Sequence, residues 1–365
     1  MYHGTNEHDI NDLEAPIFII APAGILDTKA LKYAVNEVSN RFGFKKVDAL
    51  IIEEMDLLKD PRQKLSQRES ALYELGFTRV NSYNLGFGKD SIGYLPMDDK
   101  SLEKTKERAE SEIIKLLDSY NFDLSDKQNL YIGYVNSRTP NTSAQVFISN
   151  TLNEDSNSKL NSNYILVFGG NNYNMRTSDI IETILSLESK EMGINNPEIF
   201  SEANISYFDS DTGEVDHLSK VKGTGTRKVN VILTKSLPRN IFLDLIHLSI
   251  SGMTTGDQSL CEYISLKKEL PYYDKQPFKQ PLVNNLKDMA KKYDVDGELQ
   301  NKLDERIVGN IPFTGDVAYK FKVKDNKLMK SSKDQVDNAW YMFNEELFYK
   351  RADVVIRDII NKRSN

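Results

Sequence analysis

The strongest constraint on the fold is a regular alternation of short, continuously apolar runs with longer amphipathic segments. Such runs are typical of strands at the centre of a parallel sheet, where helices cover both faces. Strand-helix-strand units of this length join parallel strands through right-handed crossovers. The chain is therefore predicted to be an α/β protein. The apolar runs lie at 16–21 (PIFIIA), 47–52 (VDALII), 129–135 (NLYIGYV), 164–168 (YILVF) and 229–234 (VNVILT).

Two halves of the chain open in the same way, with a buried strand, a glycine turn and a helix. The first opening carries Gly24, and the second carries Gly169, Gly170 and Asn171. Glycine at a strand end allows a ligand to approach the backbone closely, although an ordinary strand-to-loop turn explains these residues equally well. The repeated opening predicts two Rossmann-like domains with a ligand cleft between them.

The domain boundaries are predicted from a polar segment, 153–163 (NEDSNSKLNSN), which is rich in Asn and Ser and is typical of a linker. We expect an acceptor domain over 1–155, a nucleotide-sugar domain over 162–335, and C-terminal helices over 336–365 that pack back on the first domain.

Bulk composition excludes several classes of protein. The chain has 365 residues, of which 39% are hydrophobic and 28% charged, as in a soluble globular protein. We expect no transmembrane segment, because no apolar run is long enough to span a bilayer. The net charge of −7 argues against non-specific nucleic-acid binding. The polar N-terminal residues predict a cytoplasmic protein, or one exported without a cleavable signal peptide. The Asn-rich and Lys-rich composition is typical of an AT-rich bacterial genome.

The most informative local motif is the turn Gly256-Asp257-Gln258-Ser259, which precedes a helix-like segment at 260–268. A glycine turn at a helix start presents unpaired N–H groups and the positive end of the helix dipole, which together bind anions such as a diphosphate. Ser259 is predicted to cap this helix, and Glu262 three residues later would complete a capping box. These residues alone leave open the alternative of a well-capped helix with no ligand.

The order of elements around this turn resembles the C-terminal half of GT-B glycosyltransferases, and within them most resembles bacterial protein-arginine rhamnosyltransferases. Those proteins carry an acidic residue and a Ser before a helix, followed by a strand that ends in a Tyr-Pro-Gln-like turn. The matching residues are Asp257, Ser259 and 273–277 (YDKQP). The order Glu-Asp-Ser of that family is replaced here by Asp257-Gln258-Ser259.

The resemblance implies a GT-B glycosyltransferase that moves a hexosyl or deoxyhexosyl group from a nucleotide diphosphate donor to an acceptor. The acceptor, whether protein, glycan or lipid, is not identified by the sequence. Catalysis is expected to be inverting and independent of metal and cofactor. Asp27 matches an Asp implicated in that family just after the first glycine loop, and would act on the acceptor; alternatively, it N-caps the next helix. Two alternatives stay open: a sugar-nucleotide epimerase of the same fold, and a non-catalytic binding protein.

Further residues are candidates for the donor site. Lys235 and Arg239 are placed to neutralise a diphosphate, although a solvated basic pair is the alternative. Tyr273 is a candidate for stacking on the base or sugar, or else packs in the core. Glu262 is a candidate for binding the ribose hydroxyls.

One acidic triplet, Asp209-Ser210-Asp211, matches the metal-binding DxD motif of another glycosyltransferase class. It lies between two alternating segments and is followed by Thr212-Gly213, a sequence that favours a hairpin turn. The histidines show no metal-ligand spacing. We therefore expect no metal site.

Overall fold

The structure is a computed structural model that describes residues 17–20, 27–43, 46–56, 61–108, 111–112, 114–115, 128–155, 158–169, 200–294, 296–309 and 333–364. The chain divides into two compact units. The smaller one comprises Met1–Leu95, Asn284–Leu286 and Lys350–Asn365, and the larger one Pro96–Val283 and Lys287–Tyr349. None of the described helices is both long enough and apolar enough to cross a membrane.

The smaller unit contains a parallel three-stranded sheet with strand order β1-β2-β3. The central strand is buried at every position, as expected for a strand between two neighbours. Leu31 and Val35 of the first helix pack against Ala49 and Ile51 of that strand. The elements of this unit are β1 (Ile17–Ile20), α1 (Thr28–Phe42), β2 (Asp48–Glu53), α2 (Pro61–Glu74), β3 (Arg79–Asn84) and α10 (Ala352–Ser364).

Two buried carboxylates lie at the end of β2 and just after it. Glu53 forms an ion pair with Arg68 of α2, and the two side chains are 0% and 4% exposed. Asp56 lies in the next turn, where it accepts hydrogen bonds from the N–H of Phe87 at 2.7 Å and the hydroxyl of Ser91 at 2.9 Å. Burial raises the pKa of Asp56 above its ordinary value, although these hydrogen bonds oppose the shift.

The larger unit is built on an eight-stranded sheet with the order β11-β10-β9-β4-β5-β8-β6-β7. Every neighbouring pair is parallel except β6 and β7, which form an antiparallel hairpin. Its strands are β4 (Gln128–Val135), β5 (Asn161–Phe168), β6 (Phe200–Phe208), β7 (Val215–Lys222), β8 (Arg227–Thr234), β9 (Ser251–Thr254), β10 (Tyr272–Asp274) and β11 (Ile307–Val308). Its helices are α3 (Asp99–Glu107), α4 (Pro140–Glu154), α5 (Arg239–Leu248), α6 (Asp257–Lys267), α7 (Gln280–Ala290), α8 (Glu298–Arg306) and α9 (Lys333–Tyr349), with a short 3-10 helix at Pro277–Lys279.

The strand order of the larger unit is that of the Rossmann fold once the β6–β7 hairpin is set aside. In chain order, β4, β5 and β8 run outward in one direction, and β9, β10 and β11 run outward on the other side of β4. The order reverses between β4 and β9, which is the topological switch point where open parallel sheets bind ligands at the carboxyl ends of their strands.

Both faces of this sheet are covered by apolar clusters. Tyr131 and Tyr164 point into one cluster, whereas the neighbouring residues Ile132 and Ile165 point into the other. Successive strand residues face opposite sides, so a strand that is covered on both sides reads as a continuous apolar run. The structure confirms the predicted α/β class with a parallel sheet in each unit.

The division of the chain differs from the predicted boundaries. Strand β4 and helix α4, which we expected in the first domain, belong to the larger unit, where β4 is a central strand. The described residues of the polar segment 153–163 are the end of α4, residues 155 and 158–160, and the start of β5, and all belong to the larger unit rather than to a linker between units. Its Asp155 accepts hydrogen bonds from Asn129 at 2.9 Å and from the hydroxyl of Tyr131. At the C-terminus, α9 groups with the larger unit and α10 with the smaller one.

The triplet 209–211 forms the β6–β7 turn, which confirms the hairpin interpretation. Asp209 Oδ1 accepts the N–H groups of Asp211 at 2.8 Å and Thr212 at 3.2 Å. Strand β7 is the edge of the sheet and exposes charged side chains along its length. These are Asp216, Lys220 and Lys222.

Candidate functional site

A cavity of about 580 Å³ lies at the carboxyl edge of the larger sheet, where β4, β5, β8 and β9 end. This is within the usual volume range of small-molecule sites, and its position is the switch point of the fold. The cavity is lined by Tyr134, Val167, Gly169, Lys235, Ser236, Leu237, Arg239, Phe242, Thr255, Gly256, Asp257, Gln258, Ser259 and Glu262.

The N-terminus of α6 forms one wall of the cavity. Gly256 is the N-cap residue, with φ 82° and ψ 177°, a conformation that is essentially restricted to glycine. Because glycine has no side chain, the N-cap residue provides no capping group over the first amides of α6. Apart from Gly256 itself and its two chain neighbours, no described residue has an atom within 4 Å of the position that a Cβ of Gly256 would take.

The predicted capping box is wrong. Ser259 lies inside the helix, and its hydroxyl donates to the backbone carbonyl of Thr255 at 2.8 Å. Glu262 does not reach back to the helix start. It accepts hydrogen bonds from Gln258 Nε2 at 3.0 Å and from Arg239 Nε at 3.0 Å. The helix therefore begins without the side-chain cap that the sequence pattern indicated, and the residues of its first turn line the cavity.

Two cations predicted from the sequence lie in the same wall. Lys235 follows β8, and Arg239 begins α5. The Arg239 side chain is 60% exposed and contacts the nearly buried Glu262, with Nη2 2.7 Å from its carboxylate. Glu262 uses two of the five guanidinium N–H donors, so further donors of Arg239 remain for a ligand.

An aromatic wall, formed by Tyr134 and Phe242, lines the cavity as well. Their ring centroids are 6.3 Å apart and the rings are nearly perpendicular, at 75°. Gly169 supports this wall, because a Cβ at that position would lie 2.5 Å from the hydroxyl of Tyr134. The structure thus explains this glycine by close approach of the Tyr134 ring.

The structure brings together Gly169, Lys235, Arg239, Glu262 and the turn 256–259, all of which were predicted from the sequence. It corrects Tyr273, which is fully buried in β10 and does not line the cavity, because that strand is covered on both faces. Asp27 lies in the smaller unit, where it N-caps α1 by accepting the N–H of Ala30 at 2.7 Å. The predicted residues Gly24, Gly170 and Asn171 lie outside the described part of the chain.

Sequence reasoning missed six cavity residues, which are Tyr134, Val167, Ser236, Leu237, Phe242 and Thr255. Tyr134 was overlooked because its strand was assigned to the first domain. Nothing in the sequence distinguishes Phe242 from the other apolar residues of its amphipathic helix. Thr255 carried a signal, since it directly precedes the glycine turn at the carboxyl end of a strand.

No group of three or more His, Cys, Asp or Glu side chains that could hold a metal ion is found in the described ranges. The cavity is lined by the first turn of α6, two cations, two carboxylates and an aromatic wall. Such a set can bind an anionic ligand that also carries an apolar or planar part.

Comparison with known proteins gives distant structural similarity only. No family model and no curated protein matches the chain. It is similar to the UDP-forming alpha,alpha-trehalose-phosphate synthase from Burkholderia xenovorans in complex with glucose-6-phosphate, with a TM-score of 0.40, 11% identity, and coverage of 93% of this chain and 79% of that one. It is also similar to the N-terminal domain of Candida albicans trehalose-6-phosphate phosphatase, with a TM-score of 0.38, 12% identity, and coverage of 97% and 72%. Similarity at this level carries no argument about function.

Proposed function

We propose that the larger unit binds a nucleotide diphosphate sugar and that the chain is a glycosyltransferase, with the diphosphate on the N-terminus of α6. The observation that carries this proposal is the cavity itself. It joins the first turn of α6 after Gly256 to Arg239 and lies at the switch point of a Rossmann-type sheet.

The phosphate end of the site is supported by the N-terminus of α6 and by two cations. The first amides of α6 donate hydrogen bonds, the helix dipole adds partial positive charge, and Lys235 and Arg239 add full charges.

The remainder of the cavity suits the rest of the donor. Tyr134 and Phe242 offer an aromatic surface, and Val167 and Leu237 add aliphatic surface. A nucleobase or the apolar face of a sugar ring packs on such a surface. Glu262, which Arg239 and Gln258 hold in position, is the proposed acceptor for hydroxyl groups of the ribose.

Transfer of the sugar requires stabilisation of the departing diphosphate. The amides of α6 and the cations supply this at the position where negative charge develops. Asp27 is the proposed residue that acts on the acceptor, on the basis of its place after the first strand. We propose that the reaction is inverting and needs no metal.

Calorimetric titration with UDP, dTDP and GDP tests the site. We expect one of them to bind, and we expect Arg239→Ala to weaken that binding roughly tenfold, because a charge-assisted hydrogen bond is lost and Glu262 is left without its cation. Lys228→Ala is the matched control. Lys228 lies near the start of β8, whereas Lys235 follows the end of that strand. Lys228 does not line the cavity. Its variant should bind like the wild type.

If none of the three diphosphates binds, or if Arg239→Ala and Lys228→Ala behave alike, the proposed site is wrong. For a diphosphate that binds, incubation with the corresponding sugar nucleotide separates the activities. Release of the diphosphate that depends on an added acceptor supports a transferase. Conversion of the sugar without release identifies an epimerase, and no turnover with any acceptor leaves a binding protein.

A further inference from the structure

Two buried charged side chains lie behind the first turn of α6: one is the last residue of β10, and the other lies in the segment that follows this strand. Asp274 is the last residue of β10 and is 0% exposed. Lys279 ends the short 3-10 helix and is 1% exposed. Neither residue lines the cavity, whereas their partners Thr255 and Asp257 do.

Asp274 fixes the residue that precedes the glycine turn. Its Oδ2 lies 2.8 Å from the hydroxyl of Thr255 and accepts the N–H groups of Asn136 and Ser137, each at 2.8 Å. Its Oδ1 accepts the hydroxyl of Ser143 at 2.5 Å. A buried carboxylate surrounded by this many donors ties the ends of β4, β9 and β10 together.

Lys279 holds the residue that follows the glycine turn. Its Nζ lies 2.7 Å from each carboxylate oxygen of Asp257, the first residue of α6. The Asp257 side chain is 22% exposed and lines the cavity. Lys279 therefore places a buried positive charge directly behind the one carboxylate that stands at the start of the anion-binding helix.

The charge of Asp257 matters because of where it lies. An acidic residue in the first turn stabilises a helix by itself, but it also repels a second anion at the same helix end. Pairing with a buried cation cancels this repulsion. The two neighbours of Gly256 are thus held by buried side chains. Asp274 contacts the hydroxyl of Thr255, and Lys279 pairs with the carboxylate of Asp257.

We propose that Asp274 and Lys279 are positioning residues that clamp the turn around Gly256, and that Lys279 adapts this helix end to a polyanionic ligand by neutralising Asp257. The inference rests on the proposed function of the cavity and identifies what controls its preference for ligand charge. Neither residue needs to touch the ligand.

The test compares ligands that differ only in charge. A nucleoside, its monophosphate and its diphosphate, in the uridine, thymidine and guanosine series, are titrated into wild type and Lys279→Met. We expect Lys279→Met to weaken diphosphate binding at least tenfold, to weaken monophosphate binding less, and to leave nucleoside binding unchanged. Lys275→Met is the matched control, since Lys275 belongs to the same segment and pairs with Gln280 away from the cavity.

A second variant checks the cause. Asp257→Asn removes the carboxylate and leaves Lys279 unbalanced behind the site, so diphosphate binding should become several-fold tighter. In the double variant, Asp257→Asn should restore the diphosphate binding that Lys279→Met lost. If Lys279→Met does not fold, Asp257→Asn still decides the matter, because weaker diphosphate binding there would overturn the proposal.

A merely structural role of Lys279 predicts a different pattern. Loss of binding that is equal for nucleoside and diphosphate, or no rescue in the double variant, would show that Lys279 only stabilises the fold. Failure of wild type to bind any diphosphate would instead remove the proposed function, and is distinguished from the other outcomes by the wild-type titration alone.

Discussion

Replacing Gly169 by alanine tests the packing that builds the aromatic wall of the cavity. The new Cβ would lie 2.5 Å from the Tyr134 hydroxyl and 2.6 Å from its ring, well inside van der Waals contact. Gly169 has no positive φ, so backbone strain does not contribute. The ring must move, although it packs against Phe242. Overpacking of this kind costs about 1–3 kcal/mol of unfolding free energy, and the displaced ring should also weaken diphosphate binding.

Tryptophan fluorescence during urea unfolding measures this loss of unfolding free energy for the larger unit of the chain. The single tryptophan of the chain, Trp340, lies in α9 of the larger unit and is 8% exposed. The control is the same substitution in a Tyr134→Ala background, where the ring is absent and Gly169→Ala should cost less than about 0.5 kcal/mol. An equal loss in both backgrounds would refute the steric explanation, as would a loss below about 0.5 kcal/mol in the wild-type background.

Three further predictions concern residues outside the cavity. Glu53→Ala should lower the unfolding free energy by about 3–5 kcal/mol in a far-UV circular dichroism transition, because Arg68 would be left buried and unpaired; a loss under about 1 kcal/mol would contradict this. The raised pKa of Asp56 means that its stabilising contribution is complete below the ordinary value of 3.8 and is lost as pH rises through the folded-state pKa. The difference in unfolding free energy between wild type and Asp56→Asn should therefore fall as pH rises from 3.8, and a pH-independent difference would contradict it. Asp209→Ala should lower stability by about 1 kcal/mol through loss of two turn hydrogen bonds; stabilisation of wild type but not of the variant by excess Mn²⁺ would instead indicate a metal site.

Local sequence patterns identified much of the cavity because its central feature is local. A short strand, a glycine turn and a helix follow each other within a few residues around Gly256, and the position of Arg239 after β8 follows from the same logic. These relations depend on the carboxyl ends of parallel strands meeting at one edge of the sheet. The parallel α/β class could be predicted for a similar reason, since continuous apolar runs require a sheet covered on both faces.

Relations between distant segments could not be read in this way. Tyr134 and Thr255 lie close together because their strands, β4 and β9, are neighbours in the sheet. The two strands become neighbours only because the chain crosses back to the other side of β4 after β8. Tyr273 illustrates a second limit, because alternation along a strand does not identify an accessible residue when both faces are buried. Lys279 carries no sequence signal at all, since a lysine near a proline is usually exposed.

The charged border of strand β7 has a consequence for how the protein behaves at high concentration. A terminal strand with unpaired backbone groups is a template on which another chain can extend the sheet. Side chains such as Asp216, Lys220 and Lys222 oppose this, because an incoming strand would have to desolvate them. Replacing Lys220 and Lys222 by valine should therefore make the edge strand β7 a site of self-association, while the rest of the molecule folds as before.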